Sequence, residues 1–309
     1  MLFFILGAPD PEMAHIEVLL KTVGVPYGYA LDGNGVRVRS SNAYQAEGVS
    51  SSKEPHARSV WVECGPLDSA VVRQEVVDHH RSGDPGYECG PSLFMPASSI
   101  GQTIGLLAKH GQLPISWRSF SKGSMPTLNG AIHYVVRHRL HSNWIFHQKS
   151  WYCLSSDGFF HEVPRGYVLA AAADHCLGHA YKEACPGVDA GELRQWRIRT
   201  RARWQGVSKK QIEAGIECAA ETIRRLPRVM LGGFEFRLAE TEIKEVAEAS
   251  AILGEPVMYS RLDSRSGRLK VAARNGCFQQ MKSWMDWAKI HLSDVYGDPA
   301  RGFAGGYLG

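Results

Sequence analysis

The chain opens on "LFFIL" (residues 2–6), a continuously apolar run that predicts a short strand buried on both faces. "PEMAHIEVLLKTVG" follows, with Met13, Ile16, Leu19 and Leu20 on one helical face and Gly24 as its stop. Residues 32–58 are polar and Ser/Gly-rich, and read as loop. "SVWVEC" (59–64) and "EVVD" (75–78) read as further short strands, and "PASSIGQTIGLLAKHG" (96–111) as a helix with Ile100, Ile104, Leu107 and Ala108 in register. Short apolar strands alternating with helices predict an α/β fold with a parallel sheet.

Residues 130–163 break that rhythm. They mix β-branched, aromatic and polar positions, which predicts an inserted hairpin or small sheet. "GYVLAAAADHCLGHAYKEA" (166–184) is a small-residue helical stretch, and residues 189–227 are helical and basic. Beyond them "RVMLGGFEFRLA", "TEIKEVAEASAILG", "PVMYSRLD" and "GRLKVAARN" read as strand, helix, strand, strand, before a last helix at 278–292. The expected organisation is a parallel-sheet domain over 1–188, a helical linker over 189–227 and a smaller α/β domain over 228–309.

Composition adds little. At 309 residues the chain suits two domains. Its 44 % hydrophobic and 21 % charged residues are ordinary for a globular protein, and a net charge of +4 permits anionic small molecules or short nucleic acid without demanding them. The seven cysteines are scattered, odd in number and free of any C-x-x-C pair, so reduced thiols in a cytoplasmic setting are the expectation. "MLFFILGAPD" lacks the basic start of a signal peptide and reads as a core strand. No window approaches the ~18 consecutive apolar residues of a membrane span.

Ligands of doubly wound proteins bind at the carboxyl ends of the strands, so the residues just past each apolar run carry the chemistry. They are Asp10 and Glu12 after the first, Glu63 after the second, and Asp78-His79-His80 after the third. Asp174 follows four alanines, and a carboxylate buried there is costly unless paired or bound to a cation. Asp10-Pro11 also reads as an ordinary helix cap. Carboxylates with imidazoles suit borderline divalent ions. In "RQWRIRTRARWQG" (194–206), arginines between tryptophans have two readings: a grip on single-stranded nucleic acid, or an amphipathic helix packing its tryptophans on the domains.

This set resembles the DHH phosphoesterase superfamily, named for its Asp-His-His signature, which includes short-oligonucleotide ribonucleases, cyclic dinucleotide phosphodiesterases and family II pyrophosphatases. Asp78-His79-His80 matches unchanged, and Asp10 and Asp174 match the first and fourth motifs. Glu12 and Glu63 stand where the family has aspartates, and Leu6 where it commonly has a histidine. The resemblance, over about residues 1–190, implies a metal-dependent phosphodiesterase acting on short oligonucleotides or cyclic dinucleotides. Its ligands would be Asp10, Glu12, Glu63, His79 and Asp174, holding two Mn²⁺, with Mg²⁺ or Co²⁺ as other candidates. Asp78 would orient a histidine or complete the shell, and His80 would contact the scissile phosphate. The glycine-rich "GFAGGYLG" (302–309) is similar to the family's accessory substrate turn, which implies substrate contacts at Gly305, Gly306 and Tyr307. Arg261 and Arg265 are candidate phosphate contacts in a basic hairpin. The alternatives are a degenerate protein that binds or sequesters a nucleotide, and a pyrophosphate or phosphomonoester hydrolase. A homodimer is one assembly open to it, and no membrane partner is implied.

Overall fold

A computed structural model describes residues 1–51, 58–68, 70, 75–121, 143–263 and 267–308, together with the backbone of a strand at 132–134. The chain divides into two compact units: Met1–Tyr87 with Leu93–Asp174, and Glu88–Ser92 with His175–Gly309. Both are α/β.

The first unit starts with β1 (Leu2–Leu6), α1 (Pro11–Val23), β2 (Tyr27–Leu31), β3 (Gly48–Val49), β4 (Arg58–Val62) and β5 (Glu75–Val77). These strands lie in the order β3-β2-β1-β4-β5, parallel throughout except at the edge strand β3. All five residues of β1 are buried, as a strand covered on both faces requires. Phe3, Ile5 and Trp61 pack on one face against Ala30, Val38, Ala43, Ala46 and Cys64, so the polar-looking 32–58 loop contributes small apolar residues to the core. By strand alternation Phe4, Leu6, Val60 and Val62 face the other way, and they are buried too. Successive strands leave β1 on opposite sides, so the topological switch point lies at its carboxyl end.

The unit continues through α2 (Phe94–Ala97) and α3 (Ser99–Lys109), the helix expected at 96–111. Then come β6 (Ser119–Ser121), β7 (Ile132–Tyr134), β8 (Trp144–His147), β9 (Ser150–Leu154) and β10 (Phe159–Glu162), a five-stranded sheet in the order β6-β10-β9-β8-β7 whose neighbours are all antiparallel. This is the expected insertion. Trp151 is fully buried in it and meets Phe94 of α2 edge-on at 5.5 Å. Helix α4 (Arg165–His175) ends the unit.

The second unit comprises α5 (Leu177–Tyr181), α6 (Ala190–Gln205), α7 (Lys209–Arg225), β11 (Arg228–Leu231), β12 (Phe234–Ala239), α8 (Val246–Leu253), β13 (Val257–Leu262), β14 (Leu269–Arg274), α9 (Phe278–His291), β15 (Ser293–Asp298) and β16 (Phe303–Tyr307). Its strands form one mixed sheet, β11-β12-β13-β14-β16-β15. One core cluster joins α7 and α8 to Ala239, Tyr259 and Ala272; another joins α9 to Phe236, Met258 and Ala273. Helices α6 and α7, expected as a linker, share a core of Ile198, Ala202, Ile212 and Ile216 inside this unit. The stretch 228–239 is a hairpin, not one strand, because Gly232 and Gly233 both take positive φ (56° and 83°) in its turn. Among the described residues no helix is long and apolar enough to cross a membrane.

Candidate metal centre

The carboxyl ends of β1, β4 and β5 bring the expected acidic residues together. Just past β1, Asp10 is the N-cap of α1, its Oδ1 accepting from Met13 N at 2.6 Å, with Pro11 as the first helical residue. One turn in, Glu12 is buried, and its Oε1 accepts from Ile100 N at 2.9 Å in the first turn of α3. Its Oε2 is buried with no hydrogen-bond partner among the described residues.

Glu63, just past β4, has φ 50°, a left-handed backbone conformation costly for a non-glycine residue. Gly7 makes the approach possible. A Cβ there would lie 2.6 Å from Glu63 O. Glu63 Oε1 is likewise buried without a hydrogen-bond partner.

Past β5 comes Asp78-His79-His80. Asp78 is fully buried, and its Oδ1 accepts from His79 N (2.7 Å), His80 N (3.1 Å) and His80 Nδ1 (2.9 Å). Its Oδ2 accepts from the Tyr44 hydroxyl at 2.8 Å. Because a carboxylate only accepts, the ring nitrogen of His80 that meets Asp78, Nδ1, carries the proton. Gln102 of α3 fastens this loop: Oε1 accepts from Asp78 N, and Nε2 donates to Asp78 O and Ala97 O at 2.9 and 2.7 Å.

Asp174 enters from the last turn of α4, after four buried alanines. A carboxylate at a helix C-terminus faces the negative end of the dipole, which disfavours it unless a positive charge is near. One ligand atom each from Glu63, His79, His80 and Asp174 lie within 4.8 Å of one another. His79 Nε2 is 3.0 Å from Asp174 Oδ2 and 3.5 Å from Glu63 Oε1.

The electrostatics suit a bound cation. Burial pushes the Glu63 carboxyl up to about 8; His80 pulls it down, and Asp10, Asp174 and Asp78 add to the rise. Burial and then Asp174 push Asp10 up to about 6, and burial with Asp174, Glu63 and Asp10 lifts Glu12 well above the usual carboxylate range. Asp78 behaves oppositely. Burial would raise it, but the His80 hydrogen bond and the His80 and His79 charges outweigh that and hold it below the usual range. Among the described residues no lysine or arginine pairs with Asp10, Glu12 or Glu63. The cluster of Glu63, His79, His80 and Asp174 could hold a divalent metal, since its donor set is the mixed imidazole and carboxylate kind such ions take.

The structure sorts the expected residues. Glu63, His79 and Asp174 converge; His80, expected on the substrate, joins them. Asp78 stands behind His80 as its orienting partner, one of the two roles expected of it. Asp10 and Glu12 border the cluster with one oxygen each already capping a helix. Tyr44 and Gln102 were not foreseen. Tyr44 lies in a loop with no periodic signal, and Gln102 is a polar residue in a helix whose residues Ser99–Ala108 are all buried. The remaining candidates fall in the second unit. Gly305 and Gly306 lie in β16, flanked by β14 and β15, and so form a central strand where a turn was expected. The Tyr296 ring takes the place of a side chain at Gly305, where a Cβ would lie 2.2 Å from its hydroxyl. Tyr307 lies under the Arg268 guanidinium, Arg261 pairs with Glu242 at 2.9 Å, and Arg265 lies outside the described residues. The basic run of α6 is partly drawn inward: Trp196 is buried, and Arg197 and Arg201 pair with acids of the segment at α8, which favours the packing reading for that face, while Trp204, the second tryptophan of the run, is 50 % exposed.

No family model, curated protein or solved structure matches the chain.

Proposed function

We propose that the chain is a metal-dependent phosphodiesterase of DHH type that hydrolyses small nucleotide phosphodiesters, short oligonucleotides or cyclic dinucleotides. The observation that carries this reading is the convergence of Glu63, His79, His80 and Asp174 at the switch point of a parallel sheet, with Asp78 fixing the tautomer of His80 from behind. A divalent ion held by these residues, Mn²⁺ by resemblance, would supply Lewis acidity at a phosphoryl oxygen and lower the pKa of a water. The chain supplies the rest. Asp78 and Gln102 hold the histidine loop rigid, and the unpartnered Oε2 of Glu12 leaves a donor beside the cluster for a second ion.

One observation favours a second reading, a one-ion protein that binds a nucleotide without cutting it. Asp10 Oδ1 and Glu12 Oε1 are committed to helix N-termini, and Leu6 offers no donor where the family carries a histidine.

The test is to incubate metal-stripped protein with Mn²⁺ and a panel of di- to pentanucleotides, cyclic dinucleotides, pyrophosphate and a phosphomonoester, beside Asp174→Ala. Metal-dependent loss of a phosphodiester, absent in the variant, is the expected result. Retention of one nucleotide without turnover establishes the binding protein. Loss of pyrophosphate or the monoester alone redirects the substrate class. Wild-type turnover by Asp174→Ala overturns the site.

A further inference from the structure

Arg81 follows His80 directly, at the edge of the candidate centre. Its guanidinium lies over the ring of Tyr44, 3.4 Å from the centroid, and the hydroxyl of that ring is the one that donates to Asp78. The backbone is pinned as well: Arg81 N donates to Oδ2 of the buried Asp84 at 2.7 Å. Yet the Arg81 side chain is exposed and makes no ion pair or hydrogen bond among the described residues. Other arginines of the chain are spent on acids: Arg197 on Glu248, Arg237 on Glu255, Arg261 on Glu242 and Arg268 on Asp294.

Stacking engages the face of a guanidinium and leaves its in-plane N–H donors open. Those donors match the paired oxygens of a phosphoryl group, which a bare ammonium cannot do in the same fork geometry. The aromatic support also lowers the conformational entropy lost when an anion binds. Arg81 is thus a cation braced one residue from His80, with its recognition edge unused.

We propose that Arg81, supported by Tyr44, grips the phosphoryl oxygens of the substrate and sets the preference of the site for phosphate esters; this rests on the phosphodiesterase reading. The direct measurement is calorimetric binding of a dinucleoside phosphorothioate to full-length protein with Mn²⁺, with Mn²⁺ binding measured separately. Arg81→Ala should weaken the dinucleotide by about tenfold or more, as loss of a charge-assisted contact does, and leave Mn²⁺ affinity unchanged. Arg81→Lys should recover only part of the loss. Tyr44→Leu should behave like Arg81→Ala, whereas Tyr44→Phe, which keeps the ring, should bind the dinucleotide more tightly than Tyr44→Leu. In turnover, Arg81→Ala should raise KM more than it lowers kcat. If Mn²⁺ is held but Arg81→Ala binds the dinucleotide as wild type does, this assignment falls and the phosphodiesterase reading stands. If wild-type protein holds neither Mn²⁺ nor the dinucleotide, both fall.

Discussion

Glu248 in the second unit and Glu63 in the first are both buried, 1 % and 8 % exposed, yet their carboxyls move in opposite directions. Burial raises each. At Glu248 the Arg197 guanidinium, 2.6 Å away, the Tyr181 hydroxyl and Arg201 overcome it, and the carboxyl falls below its usual range. At Glu63 the neighbours that add to burial are themselves acids, and the carboxyl rises. A structural carboxylate brings its counter-charge with it in the chain. At Glu63 the opposing groups among the described residues are the imidazoles of His79, 3.5 Å away, and His80, and a cation bound there would lower the cost of the buried charge.

The harshest way to break this comparison is to remove the acid from the satisfied network. Glu248→Ala leaves Arg197 and Arg201, 16 % and 14 % exposed in their side chains, without their shared carboxylate. Breaking one partner of a buried pair costs about 3–5 kcal/mol, and urea denaturation should show a loss of that order in the second unit. A loss near zero would mean that the network contributes no net stability.

At the candidate centre the sign should reverse. Glu63→Gln removes a carboxylate that metal-free protein buries at a cost, so at pH 8 the metal-free variant should gain on the order of 1–2 kcal/mol. The same change should weaken Mn²⁺ binding by about tenfold or more, because a neutral amide replaces an anionic donor. A variant both less stable without metal and unchanged in Mn²⁺ affinity would remove Glu63 from the site.

Acidity separates the two regions without any mutation. The folded carboxyl of Glu63 titrates near 8 against an ordinary 4.5, so between those values the folded chain holds protons that the unfolded chain has lost. Metal-free stability should therefore fall as pH rises through that window, with Asp10, pushed from 3.8 to about 6, adding to the fall in its lower part. The Glu248 carboxyl is depressed, so its contribution is present above 4.5 and is lost as pH drops below it. Mn²⁺ competes with protons for the same oxygens, so thermal melts with and without Mn²⁺ should differ more at pH 8 than at pH 6. An equal shift at both values would place the ion elsewhere.

The same contrast explains what could be read from the sequence. The strand-end acids were legible because uninterrupted apolar runs such as "LFFIL" and "SVWV" mark buried parallel strands, and topology puts their ends together. Asp174 was legible because four small residues before it imply a buried segment; the alanines are buried, but the Asp174 side chain itself is 28 % exposed. Counter-charges were not. Arg197 meets Glu248, 51 positions later in the chain, and no local pattern announces that pairing. Strand β16 was hidden because Gly305 and Gly306 weaken any strand signal, and the reason they are needed, the Tyr296 ring and Leu292 against them, is tertiary. The place of His80 among the candidate ligands was not legible either, because the Asp78 oxygen that orients its ring reaches Nδ1 only on folding.

Asp78 sharpens the comparison from within the first unit, and it carries the smallest expected effect. It is as buried as its neighbours, but the chain satisfies it with two backbone amides, the His80 ring and the Tyr44 hydroxyl. It therefore belongs with Glu248 in kind, although it sits beside Glu63 in space. Tyr44→Phe deletes one of those donors and keeps the ring, which should cost about 1.5 kcal/mol of stability, the low end of the net worth of a hydrogen bond to a charged group. Because the hydroxyl helps to hold the Asp78 carboxyl low, its loss should move the acid limb of the stability profile toward higher pH. His80 should keep its orientation through the remaining Oδ1 bond, so Mn²⁺ affinity should change by less than about twofold. A large drop in Mn²⁺ affinity in this variant would show instead that Asp78 is itself a ligand, with Tyr44 steering its free oxygen, and the line between the satisfied and the waiting carboxylates would then run through Asp78.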